Sequence, residues 1–476
     1  MNVLMVTSES VPFSKSGGLA DVVGALSRVL VSQGHTVAIV MPLYGSVDQS
    51  TFSSALQVTC TMLGHSETVE VRKAVVDGVD YLGLAHPWYT DRKGIYGDDS
   101  FSPYADNCPR FALMCKAAVE IARQRDVDII HCHDWTAGLV PMLAKEAGLR
   151  CASVMTVHNL AYMGTFSRYD ALLASLHGSG DMLDGFGLQT KVNFLKTGLM
   201  TADSITTVSP TYAKEIQGAE QGCGLDWLLK QRADRLEGVI NGIDTDEWDS
   251  TKDSFFSEHF SADDLSGKAA LKERIQRQFG LAPRPDVPLF AMISRLAEQK
   301  GFGPLLDGQP CALETVLSTL DCQFIIIGTG DERYVSKLRD VASRHDNISV
   351  NIIFSQAVSH QVEGGADFFL MPSKYEPCGL NQMYSLRYGT LPVVHRTGGL
   401  ADTVRDMDGE DGDGFLFENA YSDEIVAAVR RACAFYADKQ ALDAARRRAM
   451  AQDFSWNKSA LEYARIYANT IGGKQA

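Results

Sequence analysis

Long hydrophobic runs are missing from this 476-residue chain. That excludes a helical membrane protein, because a spanning helix needs about 20 consecutive apolar residues. The amino terminus, MNVLMVTSES, lacks a basic start and turns polar after one strand's length, so export is not expected and the expected compartment is the cytoplasm. No CxxC pair occurs among the ten scattered cysteines, which excludes a disulfide framework and fits a reducing cytosol. Positive charge is in short supply: 44 Lys and Arg against 59 Asp and Glu leave a formal net charge of -15. Nucleic acid and anionic membrane both reward basic surface, so neither is expected as a partner, whereas a small anion needs only a local pocket. The phosphate-loop pattern GxxxxGK with a following Ser or Thr is absent, since Lys268 in SGKAA lacks both the partner glycine and the hydroxyl. ATP hydrolysis is therefore not supported. Neither a solenoid-length repeat nor a low-complexity tract is present.

What is there is the balance of a folded α/β protein, with 45% hydrophobic and 22% charged residues. The length exceeds one ordinary core and predicts two domains with a cleft between them. Short β-branched runs at Asn2 to Thr7, Thr36 to Met41, Val127 to His133, Ser153 to Val157 and Ser204 to Val208 alternate with helical stretches. A second series runs through Pro288 to Ile293, Gln323 to Ile327, Ile348 to Phe354, Asp367 to Met371 and Leu391 to His395. Such alternation predicts two doubly wound parallel sheets. The expected domains are 1–241, 242–454 and a C-terminal helix in 455–476 that packs back on the first, with Leu461, Ala464, Ile466 and Tyr467 on its apolar face.

Several segments carry candidate chemistry. SKSGGLADVVGAL follows the first strand and opens a helix, where free N–H groups and the helix dipole favour an anion, with Gly17 and Gly18 allowing close approach and Lys15 adding charge. The bland reading is a structural glycine turn. RTGGLADTVRDM echoes it late in the chain and predicts similar loop chemistry. ISRLAEQKG places Arg295 and Lys300 at a strand's carboxyl end, where ligands of parallel sheets bind. A fork and a point charge suit a diphosphate, although cations at a helix start also occur without function. In KYEPCGLNQMYSLRYGT, Glu376 and Cys378 sit in a tight loop and a helix is expected from Gly379 on, so that Glu376 shares a pocket with the N–H groups of Gly379 and Leu380. The alternative is a capping glutamate. HCHDW puts His131 and His133 on one strand face, but no further ligands at familiar spacing support zinc, and Asp134 at the strand's end is the better cleft candidate. His158 and Asn159 end another strand. The acidic run DMDGEDGDG fits no calcium-loop register and reads as a solvated turn.

Together KSGGLADV, HCHDW, TVHNLAY, TVSPTYAKEI, NGID, SRLAEQKG, YEPCGLNQ and RTGGLADTV resemble the bacterial glycogen synthase and plant starch synthase family, in order and at similar separations, from the first residues to Phe454. The resemblance implies the GT-B arrangement, two Rossmann-like domains facing a central cleft. It implies retaining transfer of glucose from ADP-glucose to the 4-hydroxyl at the non-reducing end of an α-glucan, with no metal or other cofactor. On matching positions it implies Lys15, Gly17 and Gly18 at the nucleotide sugar, Arg295 and Lys300 at its diphosphate, Glu376 at sugar hydroxyls and His158 near the 6-hydroxyl. Asp134, Asn159 and Asn241 would line the cleft, and Cys378, Gly379, Leu380 and Asn381 would meet the donor. Glu376 as a covalent nucleophile is a lesser alternative. Two positions depart from the family: Asn381 stands where Thr is common, and Phe354 where a Tyr near the adenine is common. GFGPLLDGQPCALETVLSTL departs from the usual helix after the lysine motif. A same-fold transferase with a small acceptor of the sucrose or trehalose type, and an inactive glucan-binding homologue, are the competing readings.

Overall fold

The computed structural model describes all residues except 63, 99–101, 177–182, 185–190 and 476. The chain forms two compact units, Met1–Gly242 with Trp456–Ala476, and Ile243–Ser455.

The strands of the first unit are β1 (Asn2–Val6), β2 (Thr36–Pro42), β3 (Ser53–Met62), β4 (His65–Val76), β5 (Val79–Ala85), β6 (Ile129–His133), β7 (Ala152–Val157), β8 (Thr165–Ser167), β9 (Leu183–Asp184), β10 (Lys191–Asn193), β11 (Ser204–Thr207) and β12 (Leu236–Gly238). Nine of them make one sheet in the order β12-β11-β7-β6-β1-β2-β5-β4-β3, and β8, β10 and β9 make a small antiparallel sheet. From β12 to β5 all neighbours are parallel. Their short aliphatic runs are buried nearly throughout, as strands covered by helices on both faces require. Because β1 leads to β2 on one side while β6 lies on the other, the strand order reverses beside β1, and the loops after β1 and β6 flank that switch point.

The Trp456–Gln475 helix returns to the first unit and packs on the Gly18–Ser32 helix and on β7. Its buried stripe is Ala460, Tyr463, Ile466, Tyr467 and Thr470, whereas Leu461, expected on the apolar face, is 62% exposed. The i, i+3, i+7, i+10 spacing from Ala460 decides which side turns inward, and Leu461 falls just off it.

The second unit has β13 (Leu289–Ile293), β14 (Gln323–Ile327), β15 (Ile348–Asn351), β16 (Phe368–Met371), β17 (Leu391–His395) and β18 (Phe415–Phe417). They are parallel, in the order β15-β14-β13-β16-β17-β18. This is the doubly wound dinucleotide-fold order, with its switch point at β13 and β16. At the opposite ends of those strands, buried Asp367 is paired with Lys272 at 2.7 Å and with Arg446, and accepts the Leu289 N–H at 2.9 Å. One correction concerns β15: it stops at Asn351 rather than reaching Phe354, and Ile353 and Phe354 emerge into solvent, 40% and 90% exposed.

Candidate active site

In the first unit the Gly18–Ser32 helix starts one residue after Gly17, its extended N-cap. A Cβ on Gly17 would meet nothing within 4 Å. Neither space nor backbone angle demands glycine there. Two amides just before the helix, those of Ser16 and Gly17, are already engaged. The buried Glu9 carboxylate accepts from Ser16 N–H, from Ser16 Oγ at 2.8 Å, from Gly17 N–H at 3.3 Å and from Tyr96 Oη at 3.1 Å. Burial raises the Glu9 pKa despite these donors. Lys15 is paired with Asp21 at 2.8 Å on the surface. A ligand anion at this loop would therefore compete with a carboxylate that the chain itself supplies.

The echo in RTGGLADT is crowded where Gly17 is open. Gly398 has φ +44, and a Cβ there would lie 2.0 Å from the Glu376 carbonyl oxygen, while one on Gly399 would lie 2.1 Å from that of Cys378. These glycines let two loops pack together around Glu376.

At the end of β6, Asp134 adopts φ +55 and ψ -174, a region that non-glycine residues avoid. It is held there by its N–H on Thr156 O at 2.9 Å and by Oδ1 accepting the His158 N–H at 2.7 Å. Burial pushes its carboxyl up to about 7. His133 Nδ1 lies 3.0 Å from His158 Nε2, and burial holds His158 down at about 3, so it is neutral. Asn159 caps a turn, its Oδ1 accepting the Ala161 N–H at 3.1 Å. Asn241 is buried, and its Oδ1 has no hydrogen-bond partner among the described residues. Among those residues, no three His, Cys, Asp or Glu side chains converge as metal ligands would.

In the second unit Arg295 follows β13 and is exposed, with no ion pair among the described residues. Lys300 ends the short Glu298–Lys300 turn, and its Nζ donates to Glu376 Oε2 at 2.6 Å. Ser373 Oγ donates to the same oxygen at 3.1 Å, and Glu376 is buried. The helix expected from Gly379 begins at Asn381: Gly379 has φ +74 and Leu380 is the N-cap, so the chain must turn left-handed before it can coil. Cys378 is buried in that loop. Asn381 turns its amide inward, donating to Ile293 O at 3.3 Å and to Glu363 Oε1 at 3.2 Å, so its side chain is not offered to a donor phosphate. Glu363, buried and with its carboxyl pushed up to about 8 by burial, also accepts from Ser385. Phe354 stands free beyond β15, an exposed ring at the carboxyl edge of the sheet.

Glu9, Tyr96, His133 and Glu363 belong to these clusters without being foreseen as site residues. For Glu9 the signal is a carboxylate seven residues ahead of the Ser16 amide it fills, and for His133 it is its place in HCHDW at the end of a strand, weighed there only as a metal ligand.

The starch synthase catalytic domain family matches residues 2–231, and the family of glycosyl transferases group 1 matches residues 273–448. A glycogen synthase of Anaeromyxobacter sp. (strain Fw109-5) is 44% identical over 98% of this chain and 99% of its own. One of Myxococcus xanthus (strain DK1622) is 43% identical over 99% of this chain and 100% of its own. Among solved structures, the catalytic domain of starch synthase IV from Arabidopsis thaliana, bound to ADP and acarbose, matches at TM-score 0.86 and 30% identity over 99% of both chains. A sucrose-phosphate synthase from Thermosynechococcus elongatus, at TM-score 0.62 and 15% identity over 99% of both chains, shares the fold. Whole-length identity to glycogen synthases, the starch synthase domain match and the twin Rossmann-like units agree: this chain belongs to the glycogen synthase and starch synthase family of GT-B glycosyltransferases.

Proposed function

We propose that this chain transfers glucose from ADP-glucose to the non-reducing 4-hydroxyl of an α-1,4-glucan, with retention of configuration. The observation that carries the reading is the grouping at the β13 and β16 switch point of exposed Arg295, half-buried Lys300 and buried Glu376. In the reaction the bond between the anomeric carbon and the donor phosphate oxygen breaks, and that oxygen leaves with the electron pair. The acceptor 4-oxygen bonds to the anomeric carbon, and its proton passes to the departing phosphate oxygen, which carries the electron pair. Arg295 and Lys300 stabilise the charge gathering on the leaving diphosphate, so the proposal requires no metal or other cofactor. Glu376 is held by Lys300 and Ser373 in a geometry suited to gripping sugar hydroxyls. His158 and Asn159 give the first unit polar groups for sugar oxygens, and Lys15, Gly17 and Gly18 give it a mouth for the nucleotide sugar. The Arabidopsis relative, bound to ADP and acarbose, supports the choice of nucleotide and of a glucan acceptor. Ten free cysteines fit work in a reducing cytoplasm. No helix among the described residues is long and apolar enough to cross a membrane.

The test is a donor and stereochemistry assay: ADP-glucose and UDP-glucose, each labelled, are offered with maltooligosaccharide, and the anomeric proton of the new linkage is read by NMR. An α-1,4 linkage formed faster from ADP-glucose is expected. A β linkage, preference for UDP-glucose, or transfer only to a monosaccharide acceptor would contradict the reading.

A further inference from the structure

Three histidines stand in sequence behind the polar groups of the first unit. The ring of His131 is engaged at both ends, with Tyr467 Oη 2.7 Å from Nδ1 and Thr156 Oγ1 2.6 Å from Nε2. Thr156 Oγ1 in turn lies 2.5 Å from Thr206 Oγ1. So fixed, His131 packs against the His133 ring, with centroids 4.1 Å apart and the rings tilted by 37°. His133 reaches His158 through Nδ1 at 3.0 Å, while its own Nε2 is buried and has no hydrogen-bond partner among the described residues. All three rings are neutral near pH 7: burial takes His131 and His158 down to about 3 and lowers His133 strongly.

A neutral imidazole has one N–H and one lone pair, so the bond between His133 and His158 allows two arrangements. If His158 donated from Nε2, the His133 proton would sit on the buried Nε2 with no acceptor. If His133 donates from Nδ1, what stays buried is a bare lone pair. Leaving a buried donor unpaired costs its full desolvation, and orphaned buried N–H groups are the rarer of the two defects. We propose that His133 is a positioning residue whose Nδ1–H donates to His158 Nε2 and thereby fixes the His158 proton on Nδ1, presented as a hydrogen-bond donor to a sugar oxygen. His158 then cannot take a proton at that nitrogen; it can only give a hydrogen bond to a hydroxyl or ring oxygen. The identity of the acceptor as a sugar rests on the proposed glucosyl transfer, whereas the tautomer does not.

Long-range proton–nitrogen NMR on the full chain with 15N-histidine reads the tautomers directly, with His133→Phe and His158→Phe spectra assigning the signals. The expected spectrum has proton-bearing Nδ1 and bare Nε2 on both rings. A His158 proton on Nε2 would overturn the proposal. His133→Phe keeps an aromatic ring against His131 but removes the donor. It should release His158 into a mixture of tautomers and lower kcat by roughly tenfold to a hundredfold, with donor KM nearly unchanged, as loss of a group that orients a histidine does elsewhere. A folded variant with unchanged kcat and an unchanged His158 tautomer would also overturn it. Should the variant fail to fold, the wild-type spectrum decides alone. Wild-type protein with the expected spectrum but no glucosyl transfer would overturn the functional reading and leave the tautomer standing.

Discussion

Lys300 donates to Glu376 Oε2 across 2.6 Å, so the cation assigned to the donor's diphosphate is paired in this structure with the carboxylate assigned to its sugar. Ser373 Oγ donates to the same oxygen at 3.1 Å. For Lys300 to meet a phosphate it must loosen this pair or share its three protons between carboxylate and phosphate. Either way Glu376 opposes phosphate binding while it helps to position the sugar.

That opposition separates two effects of one substitution. Glu376→Gln keeps the side chain's shape and removes its charge, so ADP should bind as tightly as to wild type or several-fold more tightly, because repulsion between like charges is relieved. Transfer should fall on the order of a hundredfold or more, since a positioned polar group in a dry site is worth several kcal/mol. Calorimetric titration with ADP alongside steady-state kinetics checks both. Weaker ADP binding together with normal transfer would return Glu376 to a capping role.

Lys300 should act on the transition state rather than on the bound donor. Lys300→Ala is expected to lower kcat by roughly two to three powers of ten, as single-donor deletions at developing charge do. Lys300→Arg keeps the charge in the wrong shape and should retain part of the rate. The kinetic comparison uses ADP-glucose and glycogen for all three proteins. Equal kcat with a raised KM in the alanine variant would mean ground-state binding only.

Glu363 ties the second unit's stability to pH. Burial raises its carboxyl to about 8 in the folded protein, against about 4.3 in an unfolded chain. The folded state therefore holds a proton that the unfolded state has released, so this contribution is fully present below pH ~4.3 and is lost as pH rises to about 8. Glu363→Gln removes the ionisation, with an amide that can still meet Ser385 and Asn381. Above pH 8 the variant should melt at least about 2 °C higher than wild type, and the gap should close below pH 5. A gap independent of pH in a series of thermal melts would contradict the assignment.

How far the sequence alone reaches depends on how local each signal is. The parallel strands are legible because burial on both faces turns them into aliphatic runs: Gln323–Ile327 and Leu391–His395 coincide with their expected bounds. The β3 and β4 edge is not, since one face of HSETVEVRKAVV is wet and its charges hide the alternation. Arg295 and Lys300 are legible as cations at a strand's end, because motif and strand lie together in the chain. The link from His133 to His158 and the inward turn of Asn381 to Glu363 are not, because their partners meet only when β6 lies beside β7 and the helix at Asn381 lies against the helix before β16. The two glycine pairs look alike in sequence, and only the folded chain shows that Gly398 is pressed against the Glu376 backbone while Gly17 has open space.

Incorporation of label from ADP-glucose into glycogen, with EDTA present throughout, tests the central claim most directly. Purified wild-type protein should place label in ethanol-precipitated polymer at the same rate with and without chelator, and an exo-acting α-1,4-glucanase should release that label first. No label in polymer, or incorporation abolished by EDTA and restored by a divalent cation, would contradict the account.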